Sequence, residues 1–299
     1  MKRIIGIGAL LLGIMVLTAI IDVRFLSPYN MGNVMRWTGL FGLLSLGTAF
    51  VIITGGIDLS TGSIVGLAGA ISAYLMAEAG MAVSLTLIIV IVLGMVLGFF
   101  HGWLVTKVNV QPFIVTLCGL FIYRGMARFL MDDRTQGYGT GFQGIRQLAS
   151  GQIPLFAGFS IPMPFVILVI LAVILAFVLN RTVYGRHLMA LGRNERAARF
   201  SGVHTDRVTI VAYVISSTFA GMAGILFSLD LNTVQPSSMG QMYELYAIAG
   251  CVVGGVSLRG GEGTITGVII GTAIVRVLYN SINIAGVATQ LEFAVLGVV

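Results

Sequence analysis

"MAVSLTLIIVIVLGMVLGFFHGWL", residues 81–104, contains no Asp, Glu, Lys or Arg. A helix needs roughly 20 apolar residues to cross a hydrocarbon core of about 30 Å thickness, and stretches of this kind recur along the chain. Of its 299 residues, 57% are hydrophobic and only 9% charged. A soluble domain of this length needs far more charge to cover its surface. The composition therefore specifies an all-α, polytopic membrane protein. Glycine supports this: there are 40, about twice the usual ~7%, and small residues let membrane helices approach closely. The net charge of +6 then records topology rather than a nucleic-acid footprint, and no nucleic-acid partner is expected.

Working outward from residues 81–104 gives ten expected spans. Five precede the middle of the chain: 4–21, 38–54, 61–77, 81–104 and 112–130. Five follow: 161–180, 208–228, 243–256, 264–282 and 287–299. The N-terminus has the basic start and apolar run of a signal peptide but no obvious cleavage site, so it reads as a retained first helix. Between the first two spans, "FLSPYNMGNVMRW" reads as a short interfacial helix capped by Asn30, with Trp37 at headgroup level. Cys118 and Cys251 both lie in apolar runs and read as buried packing residues. Arg124, Arg128 and Arg276 read as span-end residues that snorkel to the interface.

Charge is concentrated in "RTVYGRHLMALGRNERAARFSGVHTDR", residues 181–207. Six arginines in one short loop outweigh those elsewhere, so the positive-inside bias places this loop in the cytoplasm. Within it, Asn194 can cap a helix, Glu195 suits the first turn, and Gly202 can end it. A helix of about two turns is marginal in water unless docked on something. Two uses fit: an ordinary loop solvated by water and anionic lipid, or a helix seated on a partner.

The chain also repeats itself weakly. "GGIDLSTG" at 55–62 and "GGVSLRGG" at 254–261 each link an apolar span to a Gly-rich one, a habit of transporters built from duplicated halves. Small residues recur at spacing four after each motif, at Gly62, Gly66 and Ala70 and at Gly263, Gly267 and Gly271, which suits close packing within one subunit.

Four motifs in order carry a family resemblance. "GGIDLSTGS" stands at 55–63, "PFIVTLCGLFIYRGMA" at 112–127, "TVYGRHLMALGRNERAARFSGV" at 182–203, and "YELYAIAGCVVGGVSLRGGEG" at 243–263. Together they resemble the permease subunits of bacterial ABC importers of the ribose/xylose/galactose type, from about Asn30 onward. Arg193 stands where that family has Gly, and Tyr246 where it generally has an acid. The resemblance implies a single permease domain over 1–299 with the ten-helix permease fold. It implies two copies of a cytoplasmic ATPase, a second permease that is either identical or a paralogue, a periplasmic sugar-binding protein, and surrounding membrane lipid. It also implies that Arg186, Gly192, Asn194, Arg196, Ala197, Ala198, Arg199 and Gly202 form the ATPase-coupling segment of the bacterial inner-membrane subunit. The substrate class implied is a pentose or hexose monosaccharide.

Enzyme chemistry is not expected. There is no G-x-x-x-x-G-K-[ST] phosphate loop, so ATP must be hydrolysed by another chain. His101, His187 and His204 are scattered and make no metal set; no cofactor or catalytic residue is indicated. Asp58 sits in a Gly-interrupted turn and is expected to bond backbone N–H groups at the start of the third span, or to pair with an Arg. Asp58, Ser60, Asn232, Glu244, Asn280 and Asn283 are the candidates for the translocation pathway or its gate. The alternative is an ion-coupled secondary transporter of small polar solutes, which needs intramembrane acids that are few here. Finally, the apolar run from Val287 reaches Val299 after only about 20 Å of helix, so the chain is expected to stop inside its tenth span.

Overall fold

The computed structural model describes residues 2–155, 158–286, 294 and 297. Its membrane-spanning elements alternate in direction. They are α1 (Lys2–Ile21), α2 (Pro28–Ile53), α3 (Thr61–Ala73, extended by a π-helical turn Tyr74–Glu78), α4 (Val83–Lys107) and α5 (Pro112–Leu130). After a short helix, α6 (Gln143–Ser150), come α7 (Met163–Arg181), the short α8 (Val183–Arg193) and α9 (Glu195–Phe200), then α10 (Thr205–Leu231), α11 (Tyr243–Val253) and α12 (Ile265–Ile284). Eight of these are long and apolar enough to cross a membrane. The eleven residues of α11 span only about 16 Å. The expected tenth span, and with it the depth of Val299, lies outside the described residues, save for 294 and 297.

Helix α2 forms the centre. Every residue from Thr38 to Ile53 is buried, whereas only 6% of the apolar window of α1 is. Apolar content cannot explain this contrast, because both helices are greasy all round. Nor does glycine content alone, since Gly6, Gly8 and Gly13 of α1 face open space; in α2 the glycines receive neighbouring helices. Gly39 of α2 meets the Pro164–Phe165 backbone of α7, and Gly47 meets Ser216 and Phe219 of α10. On α4, Gly94, Gly98 and Gly102 form a stripe that lies directly on the backbone of Ser217, Tyr213 and Ile210 in α10. This third set of small residues at spacing four escaped the sequence reading. The stripes that were read do pack within the subunit: Gly267 and Gly271 meet Gly254 and Gly250, and Gly62 and Gly66 meet the segment 239–244.

The loops 54–60, 108–111, 182–204 and 254–264 gather at one, arginine-rich end. The opposite end carries α6 and two small antiparallel pairs, none of which the sequence reading anticipated. There β1 (Gln136–Gly137) pairs with β4 (Thr233–Val234), and β2 (Gln152–Pro154) with β3 (Ser160–Pro162). Buried Tyr138 pins this cap, its hydroxyl lying 2.7 Å from Ser72 Oγ and 2.9 Å from Ser228 Oγ.

Several expectations are corrected. The interfacial helix is the start of α2, continuous to Ile53 because no breaker intervenes. Its cap is Ser27, which accepts from the Asn30 N–H. Asn30 instead exchanges two amide hydrogen bonds with Asn280, and Trp37 packs 6.1 Å from Phe41 and Phe227. Cys251 is buried, its thiol donating to the Ser45 carbonyl, but Cys118 is exposed on the outer face of α5.

Arg276 does not snorkel. It is buried, and its guanidinium lies 3.8 Å from the Phe41 ring centre and 4.5 Å from that of Tyr246. Nor does Arg124, which donates to the carbonyls of Pro236 and Met239. Arg128 does reach the exposed end of α5, where it meets Asp133. Its N–H groups hold the Asp133 carboxyl below the usual carboxylate range.

Candidate functional site

At the arginine-rich end, α2 and α11 finish in the same way. Gly55 takes φ +88°, with Gly55 N–H donating to Ile52 O and Gly56 N–H to Val51 O. Gly255 takes φ +85°, with its N–H donating to Val252 O and that of Val256 to Cys251 O. Both are the paired C-terminal bonds that a left-handed glycine allows. The repeat is thus real in local geometry, although its structural register pairs Gly55 with Gly255 rather than with Gly254 as the motif does.

Beyond Gly55 the chain does not return to helix until Thr61. Irregular backbone at membrane depth is tolerated only where protein buries it and supplies hydrogen bonds. Asp58 is fully buried and does this: its carboxylate accepts from the Ser60 N–H at 3.0 Å, the Ser60 hydroxyl at 2.6 Å and the Ser216 hydroxyl of α10 at 2.9 Å. Thr116 of α5 donates to the Ile57 carbonyl at 3.2 Å. Nearby, His101 and Tyr123 are hydrogen-bonded at 2.7 Å. Asp58 therefore ties this turn to α10 through Ser216 and accepts from the Ser60 N–H at the start of α3, the kind of backbone bond expected of it.

The charged loop lies directly on these turns. Thr182 caps α8, and Asn194 ends it and caps α9, accepting from the Ala197 N–H at 3.0 Å. Gly202 follows α9 at φ +83°. The expected capped helix is α9; α8, which orients it, was not foreseen. Gly192 has no space for a Cβ, which would strike the Ile53 carbonyl and the Gly261 backbone. Tyr184 donates to the Val208 carbonyl, and burial pushes its phenol well above the usual range, so it stays a donor. Ala198 packs inward, while Arg186, Arg193, Arg196 and Ala197 are exposed. Arg199 is turned along the protein instead, to Glu195, Thr205 and Asp206. Phe200, which the sequence reading passed over, is 93% exposed. Large aromatics and arginines are the residue types enriched at protein interfaces.

The pathway candidates do not form one cluster. Asn232 is the left-handed residue ending α10 and donates to the Gly139 carbonyl in the opposite cap. Glu244 is buried at the start of α11, its carboxylate set against Gly62. Asn280 and Asn283 line a cavity of about 410 Å³ between α2, α11 and α12, together with Asn33, Trp37, Tyr243, Tyr246 and Arg276. The Asn280 amide is engaged with Asn30, leaving Asn283 as the exposed amide of the pair. Among the described residues, no group of His, Cys, Asp and Glu could hold a metal ion.

Residues 30–299 match the family described as branched-chain amino acid transport system / permease component. The chain belongs to this family. It is 37% identical to the ribose import permease protein of Bacillus subtilis, over 96% of this chain and 87% of that one. It is 34% identical to the ribose import permease protein of Escherichia coli K12, over 97% and 89%. It is also 32% identical to the xylose transport system permease protein of the same strain, over 93% and 84%. No solved structure matches. The protein is accordingly a membrane permease component of a transport system and not an enzyme. An ion-coupled secondary transporter finds no support in these likenesses.

Proposed function

We propose that this chain is the inner-membrane permease subunit of an ATP-driven importer for a pentose or hexose, with 1–299 forming one transmembrane domain. The observation that carries this is the likeness, across more than nine-tenths of the chain, to permeases named for ribose and for xylose. A periplasmic binding protein hands over the sugar, and two copies of a cytoplasmic ATPase hydrolyse ATP. A second permease, identical or paralogous, completes the pore.

The residues support a division of labour. The arginine-rich end is the cytoplasmic one, since excess Lys and Arg favour that side. Arg186, Arg193, Arg196 and Phe200 form the exposed seat for an ATPase. Gly192, Asn194, Ala198 and Gly202 shape the helices that present it. At the opposite end, the cavity beneath Trp37 and Asn283 offers aromatic faces and amides, the groups that pair with sugar C–H faces and hydroxyls. Weak contacts suffice there, because the binding protein supplies affinity and the permease must release its cargo.

The test is uptake of labelled D-ribose, D-xylose and D-galactose by proteoliposomes holding the permease, its ATPase and its binding protein. ATP-dependent uptake of one of them is expected. Trp37→Ala and Asn283→Ala should lower that uptake while the ATPase stays bound. Uptake driven by an ion gradient without ATP, or none of any sugar by the complete assembly, contradicts the proposal.

A further inference from the structure

Lys107 is the last residue of α4, and the loop 108–111 joins it to α5. Its ammonium lies 2.6 Å from Asp206 Oδ2, near the start of α10. The other oxygen of the same carboxylate, Oδ1, accepts from Arg199 at 2.9 Å. Arg199 belongs to α9 and also reaches Glu195, one turn earlier, at 3.4 Å. One carboxylate thus joins the exposed helix of the arginine-rich loop to the end of a membrane-spanning helix, its partner Lys107 lying 99 residues before Asp206 in sequence.

The loop beyond Lys107 is a tight turn. Asn109 adopts a left-handed φ of 57°, a conformation that costs a non-glycine residue and is held only by its surroundings. Loop and helix face one another across a polar cavity of about 350 Å³, lined by Asn109, Gln111, Glu195, Arg199 and Asp206. A displacement of α9 has room to be taken up there. Below it, α4 packs on α10 along the Gly94, Gly98 and Gly102 stripe, whereas the ends themselves are tied by the Lys107–Asp206 contact.

We propose that Asp206 is a positioning residue for transport. By holding Arg199 and Lys107 together, it passes movement of the docking helix to the loop 108–111 and the start of α5. This rests on the reading of 181–207 as the ATPase seat. Exposed ion pairs contribute little to stability, so loss of the linkage should hardly affect folding.

The test uses the complete transporter in liposomes, with uptake of its sugar and ATP hydrolysis measured on the same vesicles. Lys107→Met and Asp206→Asn should leave the ATPase bound and hydrolysing ATP, yet lower sugar imported per ATP by about fivefold or more, the size of an ordinary coupling between sites. Lys107→Arg, which keeps the cation, should retain the native ratio. An unchanged ratio in both Lys107→Met and Asp206→Asn overturns the proposal. So does a parallel loss of hydrolysis and uptake, or failure of both variants to fold, because each marks the contact as structural. If the native permease holds no ATPase, the reading of the loop as its seat is what fails, and the relay fails with it.

Discussion

The backbone N–H of Gly261 donates to the Ile53 carbonyl at 2.9 Å, joining the Gly-rich turn of one half of the chain to that of the other. Gly192 of α8 closes onto both residues. The arginine-rich loop is therefore seated on the junction of the two halves.

This junction is backbone against backbone, so it cannot yield to a side chain. Gly192→Ala should sharply reduce folded protein, because the new Cβ would meet the Ile53 carbonyl and the Gly261 main chain. Overpacking of a closed site typically costs about 1–3 kcal/mol. Gly202→Ala is the milder comparison, since open space surrounds that position and only its positive φ is strained. Thermal unfolding followed by size-exclusion chromatography separates the two; equal stability of both variants would count against the close fit.

Asp58→Ala should lower folded yield more than it alters sugar preference. It removes the acceptor for the Ser60 N–H and for two hydroxyls in a buried turn, and a buried polar group left unpaired costs about 1–3 kcal/mol. Ser216→Ala, which removes one bond only, should be milder. Normal yield with altered sugar selectivity would instead make Asp58 a pathway residue.

Phe200→Ala should loosen the ATPase without harming the permease fold, because Phe200 is 93% exposed and supports nothing within the described chain. Truncating an aromatic anchor at an interface typically costs about 2 kcal/mol or more, so retention of the ATPase during purification should fall by at least about tenfold in affinity. Phe200→Leu should preserve most of it. Undiminished affinity of Phe200→Ala would leave the arginines alone as the docking determinant.

The spans were legible because a bilayer imposes one simple rule on composition, and Asn194 and Gly202 marked α9 because capping is local chemistry. What the sequence hid was non-local. Nothing near Arg276 announces that Phe41, more than two hundred positions away, lies beneath its guanidinium. Asn30 has the right chemistry for a cap, but Asn280 competes for its amide and Ser27 takes the role. The stripe Gly94, Gly98, Gly102 is readable at spacing four, yet it lies inside one of the most apolar runs of the chain and resembles lipid-facing filler. Phe200 is an apolar residue in a short helix, and only the fold shows that none of the described residues covers it. Cys118 and Cys251 sit in equally greasy stretches, and only the packing of α5 against its neighbours tells them apart.

The most direct measurement is a crosslink from position 196, on the exposed face of α9. In a Cys118→Ser background, Arg196→Cys should form an adduct with a cysteine in the helix-binding groove of the partner ATPase, and in intact cells it should resist a membrane-impermeant maleimide. That result is predicted by a cytoplasmic loop that seats an ATPase. Labelling of position 196 from outside the cell, with no adduct to the ATPase in inside-out vesicles, would contradict it.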